Sequence, residues 1–129
     1  MEEALRALLL ASSGVTALAP AARINWGAHP QGAALPALVL NVISDAEEYT
    51  MTGPDGLSQG RVQVDAYADT YAQAKQLSRA VLAALSGYRG GGFQGVFHVG
   101  TRDSREGGSN EADRPFRVSL DFTTHWRQP

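Results

Sequence analysis

The most constraining stretch is Arg61 to Leu85, RVQVDAYADTYAQAKQLSRAVLAAL, because its hydrophobic period changes once, at a readable point. From Arg61 to Ala68 the chain alternates. Val62, Val64, Ala66 and Ala68 fall on one side, Gln63, Asp65 and Tyr67 on the other, which is the pattern of a half-buried strand. Asp69 and Thr70 follow, both suited to cap a helix, with Gln73 three positions beyond Thr70. A Thr-x-x-Gln box can satisfy two of the amides that a helix start leaves open. Tyr71, Ala74, Leu77, Val81, Leu82 and Leu85 then recur at spacings of three and four, one face of a helix, while Gln73, Lys75, Gln76 and Arg79 lie off it and Gly87 marks a stop. A helix from Tyr71 to Ser86 spans about 24 Å. It is expected to lie across a sheet, with Leu77, Val81 and Leu85 packed on Val62, Val64, Leu120 and Phe122. Each large apolar side chain it buries is worth up to roughly 1.5–3 kcal/mol.

The flanking segments complete the expected order. Residues 2–11 place Ala4, Leu5, Leu8 and Leu9 on one helical face, with Glu2 and Glu3 at the end that favours acids. Another turn is expected from Val15 to Leu18, then a short edge strand from Arg23 to Gly27 with Ile24 and Trp26 on one side. Residues 37–44, ALVLNVIS, are apolar on both faces apart from Asn41, as expected for a central strand covered on both sides, by helices or by a neighbouring subunit. Residues 45–60, DAEEYTMTGPDGLSQG, read as a protruding hairpin. Gly53–Pro54–Asp55–Gly56 is expected as its turn, with Tyr49–Met51 and Leu57 on its arms. Gly87, Gly90, Gly91, Gly92 and Gly95 suggest a flexible link. A strand over 96–102 should pair with the strictly alternating strand at 116–126, leaving the polar run 103–114 as their loop. The fold class implied is α+β: a mainly antiparallel sheet with an N-terminal helix and a central helix packed on one face, in one domain over residues 1–129.

Composition narrows the chemistry. The chain has no cysteine, so disulfides, thiolate metal sites and cysteine nucleophiles are excluded. A net charge of −2 provides no basic excess for tight binding of duplex DNA. The apolar part of MEEALRALLLASSG is too short to span a bilayer, and Glu2 and Glu3 stand where a signal peptide carries basic residues. The segment therefore reads as the start of the fold of a cytoplasmic protein. The Gly-rich run lacks the Gly-Lys-Ser/Thr ending of a phosphate loop, and there is no Gly-x-Ser-x-Gly elbow. His98 and His125 could be neighbours across the C-terminal hairpin, but exposed strand histidines are the simpler reading. Asp65 could be a catalytic carboxylate, or an exposed or interface-facing strand residue. The acidic groups Asp45, Glu47, Glu48 and Glu106, Glu111, Asp113 sit in loops without a positioned base. No catalytic, cofactor or metal site is expected.

The pieces in order resemble one family. RINWGAHP, LPALVLNVIS, RVQVDAYA followed by a helix with AxxLSxAVLxAL, and RPFRVSLDFTTHW are similar in order and spacing to the tail terminator, or tail-completion, proteins of long-tailed phages and phage-like gene transfer agents. No single motif carries the likeness. The resemblance implies a structural protein and not an enzyme, without a cofactor. Its partners would be further copies of itself in a six-fold ring, the tail tube protein, and a head-completion or stopper protein, with DNA only as cargo in the channel and no membrane. Its place would be the head-proximal end of the tail in a virion or phage-like particle, assembled in the host cytoplasm. A head–tail connector or neck protein is the alternative within that class. A small ferredoxin-like ligand-binding or enzymatic domain is the alternative outside it.

Uncovered strand edges suit ring closure, which removes them. Long polar loops suit contact with neighbours. The expected subunit or partner interface is therefore Trp26, Tyr49, Met51 and Asp55 on one side, and Arg102, Arg105, Glu106, Glu111, Asp113 and Arg114 on the other. Trp26 could equally serve the core, and Trp126 is read as core.

Overall fold

The structure is a computed structural model. It describes residues 1–28, 34–50, 53–105 and 116–127, the side chains of 47–50, 53–56 and 104–105 excepted. Helix α1 is Glu2–Ala11 and α2 is Ser13–Thr16, the second capped by the Ser12 hydroxyl, which accepts from the Val15 amide. After a 3-10 turn at Ala21–Arg23 come strands β1 (Ile24–Trp26), β2 (Ala37–Thr50) and β3 (Gly53–Ala68), helix α3 (Tyr71–Leu85), and strands β4 (Phe93–Arg105) and β5 (Phe116–Arg127). The five strands form one sheet in the order β1-β2-β3-β5-β4. Only β1 and β2 run parallel. The expected α+β class holds.

The period change is where the sequence places it. Thr70 caps α3, its hydroxyl accepting from the Gln73 amide at 3.2 Å. Gly87, at φ 77°, turns the chain after the helix in a conformation that only glycine adopts without strain. Leu77, Val81 and Leu85 are buried in the same core as Val62, Val64, Leu120 and Phe122, joined by Leu5 and Leu9 of α1. Arg6 ties α1 to the sheet edge, donating from Nε to the Ile24 carbonyl and from Nη2 to the Ala21 carbonyl, each at 2.9 Å.

Several expectations need correction. Gly53–Pro54–Asp55–Gly56 is not a turn but the first part of β3, with Tyr49 opposite Pro54 and Thr50 opposite Gly53. The described part of β5 ends at Arg127 opposite Leu57, so among the described residues this part of β3 has a partner on one side only, where proline is tolerated. The chain's own elements cover only part of strand β2: Ala37–Leu40 are buried, but Val42 and Ile43 are exposed, so the helices do not supply the cover expected there. The run 103–114 is not wholly a loop, because Asp103–Arg105 continue β4. The glycine link is built into the sheet. Gly87 N donates to the Val96 carbonyl at 2.8 Å and Val96 N to the Tyr88 carbonyl at 3.1 Å. Tyr71 leaves the core face and is exposed.

Candidate assembly surface

The helices cover one face of the sheet. The opposite face carries Arg61, Gln63, Asp65, Tyr67, Arg117, Ser119, Asp121, Thr123 and His125, the other half of each alternating strand. Asp65, expected to be catalytic, exposed or interface-facing, is buried on this face within the chain itself, 4% exposed. The Gln63 amide donates to both of its oxygens, at 2.9 and 3.1 Å. The same Gln63 accepts from Arg102 Nη2 at 3.2 Å, and that guanidinium lies 3.4 Å from Asp121. Arg102, expected to meet a neighbouring copy, thus has partners in its own chain. They are weak ones, because the arginine side chain remains 65% exposed.

A second polar cluster joins α3 to β4. Tyr71 Oη donates to Asp103 Oδ2 at 2.8 Å and Lys75 Nζ donates to Asp103 Oδ1 at 2.9 Å. The lysine lies 5.5 Å from the Tyr71 ring centre, and Phe116 meets that ring edge-on at 6.0 Å. The hydrogen bond from Lys75, then that from Tyr71, holds the Asp103 carboxyl below its ordinary pKa. The Asp103 bond in turn raises that of Lys75. The pair is partly solvent-exposed and bonds to itself. It braces the helix start against the end of β4.

The two histidines are not neighbours. His98 lies opposite Phe122 and His125 opposite Gly95. Phe122 belongs to the core face, whereas His125 stacks edge-on with Phe97 on the other face. Among the described residues no three His, Asp or Glu side chains are placed to hold a metal. Nor is any described helix long and apolar enough to cross a membrane.

Trp26 is half-buried against the core, with its indole Nε1 enclosed and unbonded among the described residues. Trp126 packs edge-on against Phe93 at 4.7 Å, in line with its expected core role. Tyr49 and Asp55 lie on β2 and β3 and Arg105 on β4, but their side chains are outside the described residues. Met51, Glu106, Glu111, Asp113 and Arg114 are wholly outside them. The topology does fix where the two hairpins point. Strands β2 and β3 extend past the end of β5 as a two-stranded arm, whereas β4 and β5 connect at the opposite end of the sheet. The longest strand between those ends has 16 residues, or about 50 Å.

Both outer edges are partly open. Strand β1 pairs with β2 only at Leu38–Leu40, so among the described residues nothing pairs with the outer edge of β2 from Asn41 onward. Strand β4 is the other edge, covered from Phe93 to Val96 by the segment 87–90 and, among the described residues, unpaired on its outer side beyond it. The exposed apolar residues Val42, Ile43, Phe97 and Val99 lie on these open edges. Sequence reading missed them as a surface. Val42 and Ile43 look like core in a continuous apolar run, and the bulges that interrupt β2 have no composition signal, whereas those in β4 fall beside Gly95 and Gly100.

The sequence profile of the family described as tail completion protein gp17 matches residues 3–126. No curated protein matches the chain in sequence. Among solved structures, a chain in the "Virion of native gene transfer agent (GTA) particle" is similar at 23% identity, covering 96% of this chain and 92% of that one with a TM-score of 0.63. At that identity the likeness is one of fold.

Proposed function

The chain belongs to the tail completion protein gp17 family, and we propose that it is the ring-forming terminator of a phage-like tail. On this reading copies of the chain close into a ring, six-fold by resemblance, at the head-proximal end of the tail tube. There the ring stops polymerisation, joins the tail to a head-completion protein and lets DNA pass through its channel. The role is structural and not enzymatic, and the place of the protein is the particle. The observation that carries the reading is the family match across nearly the whole chain. The architecture supports it in two ways. A sheet with two unlike free edges can repeat side by side until it closes. Its β2–β3 arm projects at one end and β4 and β5 connect at the other, as suits a part that must meet one partner below and another above.

That geometry also refines how the polar ends act. Tyr49 and Asp55 lie on the strands of the β2–β3 arm at one end, and Arg102 and Arg105 lie on β4 toward the other. Copies placed side by side at one height keep the two ends apart. Each set of charges therefore serves a different axial partner, setting orientation and partner choice more than affinity.

The test is deletion of the protein in a particle-producing cell, followed by electron microscopy. The expected result is filled heads without tails, beside tubes of uncontrolled length. Separate heads beside tubes of normal length would favour a connector or neck role. Normal joined particles would refute the reading.

A further inference from the structure

Of the five large hydrophobic side chains exposed among the described residues, four lie on the free strand edges: Val42 (38% exposed) and Ile43 (54%) on β2, and Phe97 (52%) and Val99 (51%) on β4. Their placement is correlated across the sheet. The register runs Val42–Val62–Phe122–His98 in one row and Ser44–Arg61–Thr123–Phe97 in the next, with Ile43 and Val99 in the bulges beside them. The two apolar pairs therefore stand at the same height on opposite edges.

Coverage selects the same height. On one side of it, β2 is occupied by β1 at Leu38–Leu40. On the other, β4 is occupied by the 87–90 segment at Phe93–Val96. Side by side without axial displacement, two copies can approach edge to edge only around Asn41–Ser44 and Phe97–Gly100. Direction agrees too. The three antiparallel pairings from β2 through β3 and β5 to β4 make β2 and β4 antiparallel to each other. A rotation that keeps successive sheets the same way up thus sets β4 of one copy antiparallel to β2 of the next.

We propose that these edges are the two halves of one interface between copies of this chain, the β4 edge of one copy at Phe97–Val99 meeting the β2 edge of the next at Val42–Ile43, with Val42 on the core face of the seam and Phe97 on the other. The proposal rests on the ring reading above and names its seam. The halves differ, so the contact is heterologous and propagates head to tail until it closes. The bulges keep it short. They interrupt the ladder that a flat edge would extend to any passing strand, so side-chain packing and not backbone pairing selects the partner.

The absence of cysteine makes the test direct. A chain carrying both Val42→Cys and Val99→Cys, incorporated into particles and mildly oxidised, should yield a ladder of covalent multimers ending at the ring size. Either single variant should yield none. Separately, Ile43→Asp and Phe97→Asp should each fold, because both side chains are surface-exposed, as a melting curve close to that of the parent will show. Each should fail to form rings alone. Mixed, they should give one-to-one pairs and nothing larger, because one intact half remains on each. Particles that contain the chain but give no ladder would overturn the seam and leave the ring reading standing. Dimers from a single cysteine variant would overturn it in favour of a two-fold contact. Absence of the chain from joined particles would remove both.

Discussion

Gly92 begins the hairpin that closes the C-terminal half of the sheet, and its replacement by alanine tests how tightly that corner is packed. Gly92 is buried, and its carbonyl accepts from the Arg127 amide at 2.8 Å. A methyl group there would lie 2.5 and 2.6 Å from Trp126 ring carbons and 2.7 Å from the Arg127 carbonyl oxygen. Carbon contacts are optimal near 3.5–4.0 Å, so roughly 1 Å must be opened. The indole cannot swing away freely, because it packs on Phe93, itself 4% exposed, at 4.7 Å. The carbonyl can move only with the backbone of β5. Overpacking of this kind costs about 1–3 kcal/mol, and the lower chain entropy of alanine returns about 0.4–1. The expected net loss is about 1–2 kcal/mol. With an unfolding entropy of about 2.1 cal/mol/K per residue, this is a fall in Tm of about 4–8 °C. Gly100→Ala is the control. It lies in the same strand with no atom within 4 Å of an added methyl and no positive φ, so it should stay within about 0.5 kcal/mol of the parent. Thermal unfolding of both variants, followed by circular dichroism, decides. A Gly92→Ala chain as stable as Gly100→Ala would refute the packing described for this corner.

Leu85→Ala should cost about 2–5 kcal/mol in urea unfolding, because the side chain is wholly buried between α3 and the sheet; a loss under about 0.5 would place the wrong face of α3 on the core. Thr70→Ala should cost about 1 kcal/mol through loss of the cap on Gln73, and an unchanged midpoint would show that the capping bond contributes nothing. Asp103→Asn should remove about 0.2–1 kcal/mol at neutral pH, given the solvent exposure of the pair. The Asp103 pKa is lowered in the fold and the Lys75 pKa raised, so the contribution is present between about pH 4 and pH 10. It fades as pH falls through the lowered carboxyl value or rises through the raised ammonium value. A parent-minus-variant difference that persists at pH 2 would show that it does not come from this pair.

What the sequence made legible and what it did not separate along physical lines. Periodicity located α3, β3 and β5 because each has one buried side, and burial writes itself into every second or every third to fourth residue. It failed wherever structure depends on what lies beside the chain. Gly53–Pro54–Asp55–Gly56 has turn chemistry, yet pairing with Tyr49–Thr50 draws it into a strand that has no second partner among the described residues. Asp65 looks exposed by alternation but is buried, its carboxylate accepting from the Gln63 amide two residues away. The candidate interface shows the limit most clearly. An apolar strand residue reads as core whether its partner is in the same chain or in the next copy, since both environments exclude water. Val42 and Ile43 therefore look no different in sequence from Leu38 and Leu40. Only the register, which ends β1 at Trp26 opposite Leu40, leaves the first pair uncovered. The same ambiguity supports the inferred seam. A monomer has no need of four apolar side chains on two unlike edges at one height, and in a closed ring those side chains become core.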